Sequence, residues 1–171
     1  MTAAHIHLLI THLPIFGVLI GSLVLFYGIL VKSNDTKIAA YGVLVLSTFG
    51  AGIAFLTGEG AEEIVEELPG VVESTIKTHE NFALIALIGL ILLGLMSIIG
   101  LLAIINKSST SNKIANFILI LAIACFGLVV YAGYLGGKIR HTELSDSFPE
   151  NLNQLELRIG VKSLAFKIEI S

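Results

Sequence analysis

The sequence is poor in charged residues and in cysteine. Only 13% of its 171 residues are Asp, Glu, Lys or Arg, against about 25% in a typical soluble domain. With a mean hydropathy of +0.92, this composition excludes an ordinary soluble domain and predicts an integral membrane protein. The single cysteine, Cys125, excludes an intrachain disulfide, and we interpret it as core filler because it lies inside an apolar run.

Motifs typical of several enzyme classes are missing as well. There is no Walker loop, no GxGxxG and no recognisable Ser-His-Asp spacing, and no basic cluster indicates nucleic acid. Whether the chain is an enzyme stays open, and the sequence favours a non-catalytic electron-transfer or accessory subunit. No Lys or Arg precedes the first apolar run, so we expect no cleavable signal peptide.

Four long stretches carry no Asp, Glu, Lys or Arg. They are residues 8–31, 38–58, 82–105 and 114–137. Each reaches the roughly 20 residues that a helix needs to cross a bilayer, and none shows the two-residue alternation of a barrel strand. The sequence therefore predicts an all-α fold with four transmembrane helices.

The loops predict how these helices are arranged. The connections 32–37 and 106–113 are short, which favours antiparallel neighbours in an up-down-up-down four-helix bundle. Together they carry four Lys and one Asp, so the positive-inside rule places them in the cytoplasm. We expect a multi-pass protein of the inner (plasma) membrane, with the N-terminus, the 59–80 loop and the C-terminus facing the periplasm.

The segments outside the spans have patterns of their own. Within 59–78, acidic residues alternate with apolar ones at helical spacing, which predicts a short amphipathic helix on the outer surface. We take 1–141 as the transmembrane domain and 142–171 as a C-terminal extension. Alternating apolar residues in 155–170 predict a β-hairpin, and a disordered tail is the competing interpretation.

All five histidines fall at the predicted outer helix ends. His5, His7 and His12 open the first span, His79 precedes the third and His141 follows the fourth. On a helix, His7 and His12 point about 140° apart and lie about 7.5 Å apart along the axis, so they do not resemble a zinc pair on one helix. The pattern instead favours ligands that reach across the bundle.

In an up-down bundle the first and third helices are diagonal, so we expect His12 to face His79 across the interior. Two opposed imidazoles are typical ligands of haem b iron, and His7 with His141 forms a second candidate pair. Residues that could orient the imidazoles are Thr11, Thr78, Glu62, Glu80 and Arg140. The alternatives are a copper or zinc site built from the same histidines with Glu59 or Glu62, and a structural role for interfacial histidines.

The glycines leave two interpretations open. Gly17 with Gly21, and Gly133 with Gly137, form GxxxG pairs that favour close helix packing. The other interpretation is that glycines leave room for a flat cofactor. The glycines concerned are Gly50, Gly52, Gly89, Gly94, Gly127 and Gly133.

Four short segments resemble one protein family. HLLITHLPI (7–15), FLTGEGAEE (55–63), THE (78–80) and GYLGGKIRHTE (133–143) resemble, in order, the motifs of a broad family of four-helix bacterial membrane proteins of unknown function, whose opening motif is HPxxVHFPI. Some members occur beside Rieske iron-sulfur or cytochrome components. The resemblance covers about 5–145 and implies the same fold and matching histidines at 7, 12, 79 and 141. This chain has Leu8 where the family often has Pro, and its tail has no counterpart.

Together these observations predict a small cytochrome b-like membrane subunit with one or two haems b near the outer face. Its expected partners are the lipid bilayer, other membrane or periplasmic electron-transfer subunits, and quinol. The alternatives are a cofactor-free accessory subunit of a larger membrane complex, and the copper or zinc site.

Overall fold

The computed structural model describes residues 2–66, 71 and 73–140, without the side chains of Ala3 and Arg140. Every element described there is an α-helix. In chain order they are α1 (Ala3–Ile10), α2 (His12–Leu30), α3 (Asn34–Glu66), α4 (Glu73–Ile105) and α5 (Ser111–Arg140).

Four helices in this part of the chain are long and apolar enough to cross a membrane, with α1 and α2 counted as one span from Ala4 to Leu30. This agrees with the four predicted spans. Helices α3 and α4 have 33 residues each, or about 50 Å at 1.5 Å per residue. A hydrocarbon core is about 30 Å thick, so the acidic end of each helix projects beyond it.

The first span is interrupted at Thr11, between α1 and α2. Proline has no N–H, so Pro14 cannot donate to the carbonyl of Ile10 and one bond of the helical ladder is missing. Thr11 itself keeps helical angles, with φ −60° and ψ −24°. The chain therefore continues in nearly the same direction, and α1 packs against the far end of α3.

Small residues bring the helices together in antiparallel pairs. Along α2 and α3, Gly17 lies against Ser47, Gly21 against Leu44 and Gly28 against Lys37, so the contacts run in opposite directions along the chain. The pairs α3–α4 and α4–α5 are antiparallel as well. Their contacts are Thr48 with Gly94, Tyr41 with Gly100, Gly89 with Cys125 and Gly100 with Ile118. Helix α2 also packs against α5.

The turns after α2 and α4 have the same backbone design. Lys32 and Lys107 adopt left-handed φ angles of 54° and 51°. In each turn this lysine donates its N–H to the carbonyl three residues back, and the serine after it donates to the carbonyl five residues back. This is the Schellman motif, in which glycine usually occupies the left-handed position. We call this end of the molecule, defined by Lys32 and Lys107, the lysine end.

Two sequence predictions about the loops need correction. Residues 59–66 continue α3 and residues 73–78 begin α4, so the described part of the 59–78 segment extends the spans and forms no separate surface helix. Lys37, assigned to a loop, lies in the first turns of α3, because Ser33 receives the N–H of Thr36 and starts the helix early. The predicted C-terminal hairpin lies outside the described residues.

Candidate functional site at the histidine end

His7 is fixed against α3 at the end opposite the lysine end, which we call the histidine end. Its Nδ1 lies 2.8 Å from the carbonyl oxygen of Ala54 and 3.4 Å from the hydroxyl of Thr57. A carbonyl only accepts hydrogen bonds, so Nδ1 carries the proton and Nε2 is left with its lone pair. The ring lies beside Gly58, where a Cβ would be 3.7 Å from Cε1.

His79 is held in the same way, but between α4 and α5. Its Nδ1 donates to the carbonyl oxygen of Ala132 over 3.0 Å. A Cβ on Gly136 would lie 3.2 Å from its Cε1, so the glycine allows the imidazole to rest directly on the α5 backbone. The neutral His79 also exposes Nε2 as a free acceptor or metal ligand.

The two histidines occupy equivalent places in two helical hairpins. In each hairpin, a histidine near the start of the first helix donates to an alanine carbonyl near the end of the second. A glycine four residues after that alanine lies beside the ring. Corresponding residues of the two hairpins are 72 to 78 positions apart in the sequence: His7 corresponds to His79, Lys32 to Lys107 and Ala54 to Ala132. The two halves therefore repeat one local design.

Burial favours the neutral form of the His79 imidazole. Burial lowers the pKa of His79, which is partly buried just before the uncharged stretch 82–105; the Ala132 hydrogen bond opposes this effect and the charge of His7 adds to it. A neutral imidazole with a free Nε2 is the form that binds metals.

An acidic cluster lies beside the histidines on the projecting ends of α3 and α4. The pKa of Glu62 is raised from 4.5 to about 7 by partial burial, by the hydrogen bond and charge of Glu80, and by the charges of Glu66 and Glu59. Near neutral pH, the Glu62 carboxyl is therefore protonated for part of the time. Glu80 is exposed and Glu62 is partly buried.

The other histidines are not brought to this site. His12 is exposed. Its Nδ1 donates over 2.9 Å to the carbonyl oxygen of Leu8, four residues earlier. Its ring stacks on Phe16 at a centroid distance of 6.3 Å. His5 is exposed and bonded to Thr2. His12 thus contacts its own span, and its predicted pairing with His79 stays a prediction. The histidines that pack against neighbouring helices are His7 and His79. His141 lies outside the described residues, so its pairing with His7 stays a prediction.

The residues expected to orient the imidazoles have other contacts. Thr11 donates to the carbonyl of Leu8 and Thr78 to that of Ser74, so both bond to their own helix. The side chain of Arg140 is not described. The groups that do orient the rings are the carbonyls of Ala54 and Ala132, which sequence analysis missed. The signal that could have found them is the repeated alanine-glycine spacing of four residues at matched places in the two hairpins.

The glycines mostly serve helix packing. A Cβ on Gly50 would meet Leu13 at 2.7 Å and one on Gly94 would meet Thr48 at 2.6 Å, so those spaces are filled. Gly89 and Gly133 lie against Cys125 and Ile15, whereas Gly52 and Gly127 face open space. These contacts favour the packing interpretation over a glycine-lined cofactor slot.

In the parts of the chain that the structure describes, no group of three or more His, Cys, Asp or Glu side chains could hold a metal ion. No protein-family model, curated protein or solved structure matches this chain. The resemblance to the four-helix bacterial family stays a prediction.

Proposed function

We propose that the chain is a membrane-bound, cytochrome b-like electron-transfer subunit that binds haem b through His7 and His79. The observation that carries the proposal is that the two imidazoles have the same hydrogen-bonding arrangement. Each donates Nδ1–H to a backbone carbonyl of a neighbouring helix and keeps Nε2 free. Such a second hydrogen bond fixes the tautomer and the ring orientation of metal-binding histidines and raises their basicity.

The residues fit haem through their ligand chemistry. Haem b iron accepts two neutral imidazole nitrogens, and the partial burial of His79 favours its neutral form. When bound, haem supplies one-electron redox chemistry. The chain's part is to hold the ligands, orient them through Ala54 and Ala132, and surround them with a medium of low dielectric constant.

The proposed setting is an up-down-up-down bundle in the plasma membrane of a bacterium. The lysine end faces the cytoplasm by the positive-inside rule, and the histidine end faces the periplasm. Electrons would then pass between a quinol or another membrane subunit and an outward-facing partner. The Glu62 carboxylate, which lies beside Glu80, is suited to receive a proton from a quinol, because its pKa is raised to about 7.

A cofactor-free accessory subunit is the second candidate, and a specific observation favours it. The hydrogen bonds of His7 and His79 join α1 to α3 and α4 to α5. Without a ligand on Nε2, the same hydrogen bonds would serve only to hold neighbouring helices together. The two functions differ in whether Nε2 of each ring binds iron, and this difference can be measured.

The test is the haem content of protein purified in mild detergent from haem-replete cells. We expect a Soret band and about one haem b per chain in the pyridine haemochrome assay. His7→Ala and His79→Ala should each lose most of the haem, because one imidazole alone binds it weakly. His12→Ala, which removes an exposed imidazole from the same end, is the matched control and should keep it.

Two readouts separate ligation from folding. Far-UV circular dichroism and a single symmetric elution peak should be unchanged in a variant that has lost only its ligand. Wild-type protein without a Soret band would reject the haem proposal and favour the accessory subunit. Stoichiometric copper or zinc in elemental analysis would instead favour the alternative metal site.

A further inference from the structure

A second polar cluster lies at the lysine end, far from the histidines. Lys37 is 2% exposed and Tyr41, one turn further along α3, is 0% exposed. The ammonium of Lys37 donates to the side-chain oxygen of Asn112 over 2.9 Å. Gly28 makes room for the lysine stem, since a Cβ there would lie 3.1 Å from Cγ of Lys37.

This cluster has donors in excess and lacks acceptors. In the described residues the ion pair is Lys77 with Glu73, so no described carboxylate pairs with Lys37. An ammonium has three N–H donors, and the partner found for it is one neutral amide. A buried cation without a counter-charge is costly, as is an unmet donor.

Tyr41 supplies an independent sign of a ligand. Among the described residues, its hydroxyl is the buried side-chain polar atom without a hydrogen-bond partner. Helical side chains lean toward the N-terminus of their helix, so the phenol of Tyr41 extends toward the level of Lys37. Its ring lies close against α4, where a Cβ on Gly100 would lie 2.8 Å from Cζ.

The location also suits an anion. Asn112 lies in the first turn of α5 and is exposed, so the cluster can be reached from the lysine end. The first turn of a long helix carries partial positive charge from its unpaired N–H groups. Lys37 and Tyr41 are neighbours four residues apart on one face of α3, and Lys37 is hydrogen-bonded to Asn112. An ammonium, a hydroxyl and an amide therefore come from neighbouring positions at the lysine end.

We propose that a halide-sized inorganic anion binds between the Lys37 ammonium and the Tyr41 hydroxyl. The near-complete burial of both side chains and the close contacts of the Tyr41 ring favour a monatomic ion over a lipid headgroup. The anion accepts a hydrogen bond from each group and neutralises the buried lysine. The link between α3 and α5 at this end is the hydrogen bond from Lys37 to Asn112.

The test is the thermal stability of the purified full-length protein in detergent as a function of chloride or bromide, against gluconate at constant ionic strength. Wild type should show a saturable rise in Tm with halide. Tyr41→Phe deletes only the hydroxyl, and should raise the apparent Kd at least tenfold, since a hydrogen bond to a charged group contributes about 1.5–3 kcal/mol. In gluconate it should be at least as stable as wild type, because an unpartnered buried hydroxyl has gone.

Controls identify the source of the effect. Tyr27→Phe alters an exposed tyrosine and should keep the full halide response, whereas Lys37→Met should abolish it. Equal responses in wild type and Tyr41→Phe would overturn the proposal, as would no halide response in wild type. Stabilisation by inorganic phosphate, or by vesicles rich in phosphatidylglycerol, with none by halide would overturn it in favour of a phosphate-bearing ligand.

Discussion

The contact between Gly17 and Ser47 makes a strong prediction about how α2 and α3 pack. A Cβ on Gly17 would overlap Oγ of Ser47 and lie 3.1 Å from its Cβ. That hydroxyl cannot turn away freely, because it donates to the carbonyl of Val43 over 2.7 Å. Gly17→Ala therefore requires a new rotamer of Ser47 and a small separation of the helices.

The magnitude follows from three contributions. Loss of the Ser47 hydrogen bond costs about 1 kcal/mol, and overpacking costs about 1–3 kcal/mol. Replacing a helical glycine by alanine offsets up to about 1 kcal/mol. Gly17→Ala should thus lower the free energy of unfolding by about 1–3 kcal/mol. Gly42→Ala is the matched control: a Cβ there meets nothing within 4 Å, so it should gain up to about 1 kcal/mol.

The assay is equilibrium unfolding in mixed micelles, followed by far-UV circular dichroism. Adding Ser47→Ala to Gly17→Ala should restore part of the loss, because the oxygen that clashes has been removed. Equal stability of Gly17→Ala and Gly42→Ala would refute the close packing of α2 on α3.

Three further predictions concern the turns, the acidic cluster and the ligand orientation. Lys32→Gly and Lys107→Gly should each stabilise the protein by about 1 kcal/mol in the same assay, since glycine adopts a positive φ without the steric cost that other residues incur. The pKa of Glu62 is higher in the folded state than in the unfolded chain, so protonated Glu62 stabilises the fold. This stabilisation is fully present below about pH 4.5 and is lost as the pH rises through about 7. The Tm of wild type should accordingly fall over that window relative to Glu62→Gln. Gly136→Ala places a Cβ 3.2 Å from the His79 ring, and should weaken haem binding tenfold or more by displacing the imidazole, as measured by haem titration.

Each of these predictions has a control in the same region. Lys113→Gly changes a lysine inside α5 and should destabilise by up to about 1 kcal/mol, the opposite sign to the turn variants. Glu63→Gln, at an exposed neighbour of Glu62, should keep the pH dependence of wild type. A Cβ on Gly137 meets nothing within 4 Å, so Gly137→Ala should bind haem normally. Equal haem affinities for the Gly136 and Gly137 variants would contradict the positioning of His79.

The sequence was sufficient to predict four spans because the absence of charge over some 20 residues is an unambiguous signal of lipid. It could not decide which histidine faces inward. His7 and His12 point in different directions on the helix, and a span that is apolar on every face has no polar side to show which of them faces the bundle. The partners Ala54 and Ala132 accept through backbone carbonyls, so the signal for them in the sequence was the repeated alanine-glycine spacing in the two hairpins.

Lys37 shows a similar limit at the other end. A lysine beside an uncharged stretch normally marks a loop, and hydropathy assigned it there. The structure buries it in α3 because Gly28 leaves space for its stem and Asn112 accepts a hydrogen bond from its ammonium. Both compensations come from other helices, so no local pattern around residue 37 could have indicated them.

The central claim is that Nε2 of His7 and Nε2 of His79 bind one iron. Electron paramagnetic resonance of the oxidised, purified protein tests it directly, because ligation by two imidazoles makes ferric haem low-spin. We predict a low-spin signal in wild type and in His12→Ala, and its replacement by a high-spin signal in any haem retained by His7→Ala or His79→Ala. A high-spin signal in wild type, or a low-spin signal that survives both substitutions, would contradict the account.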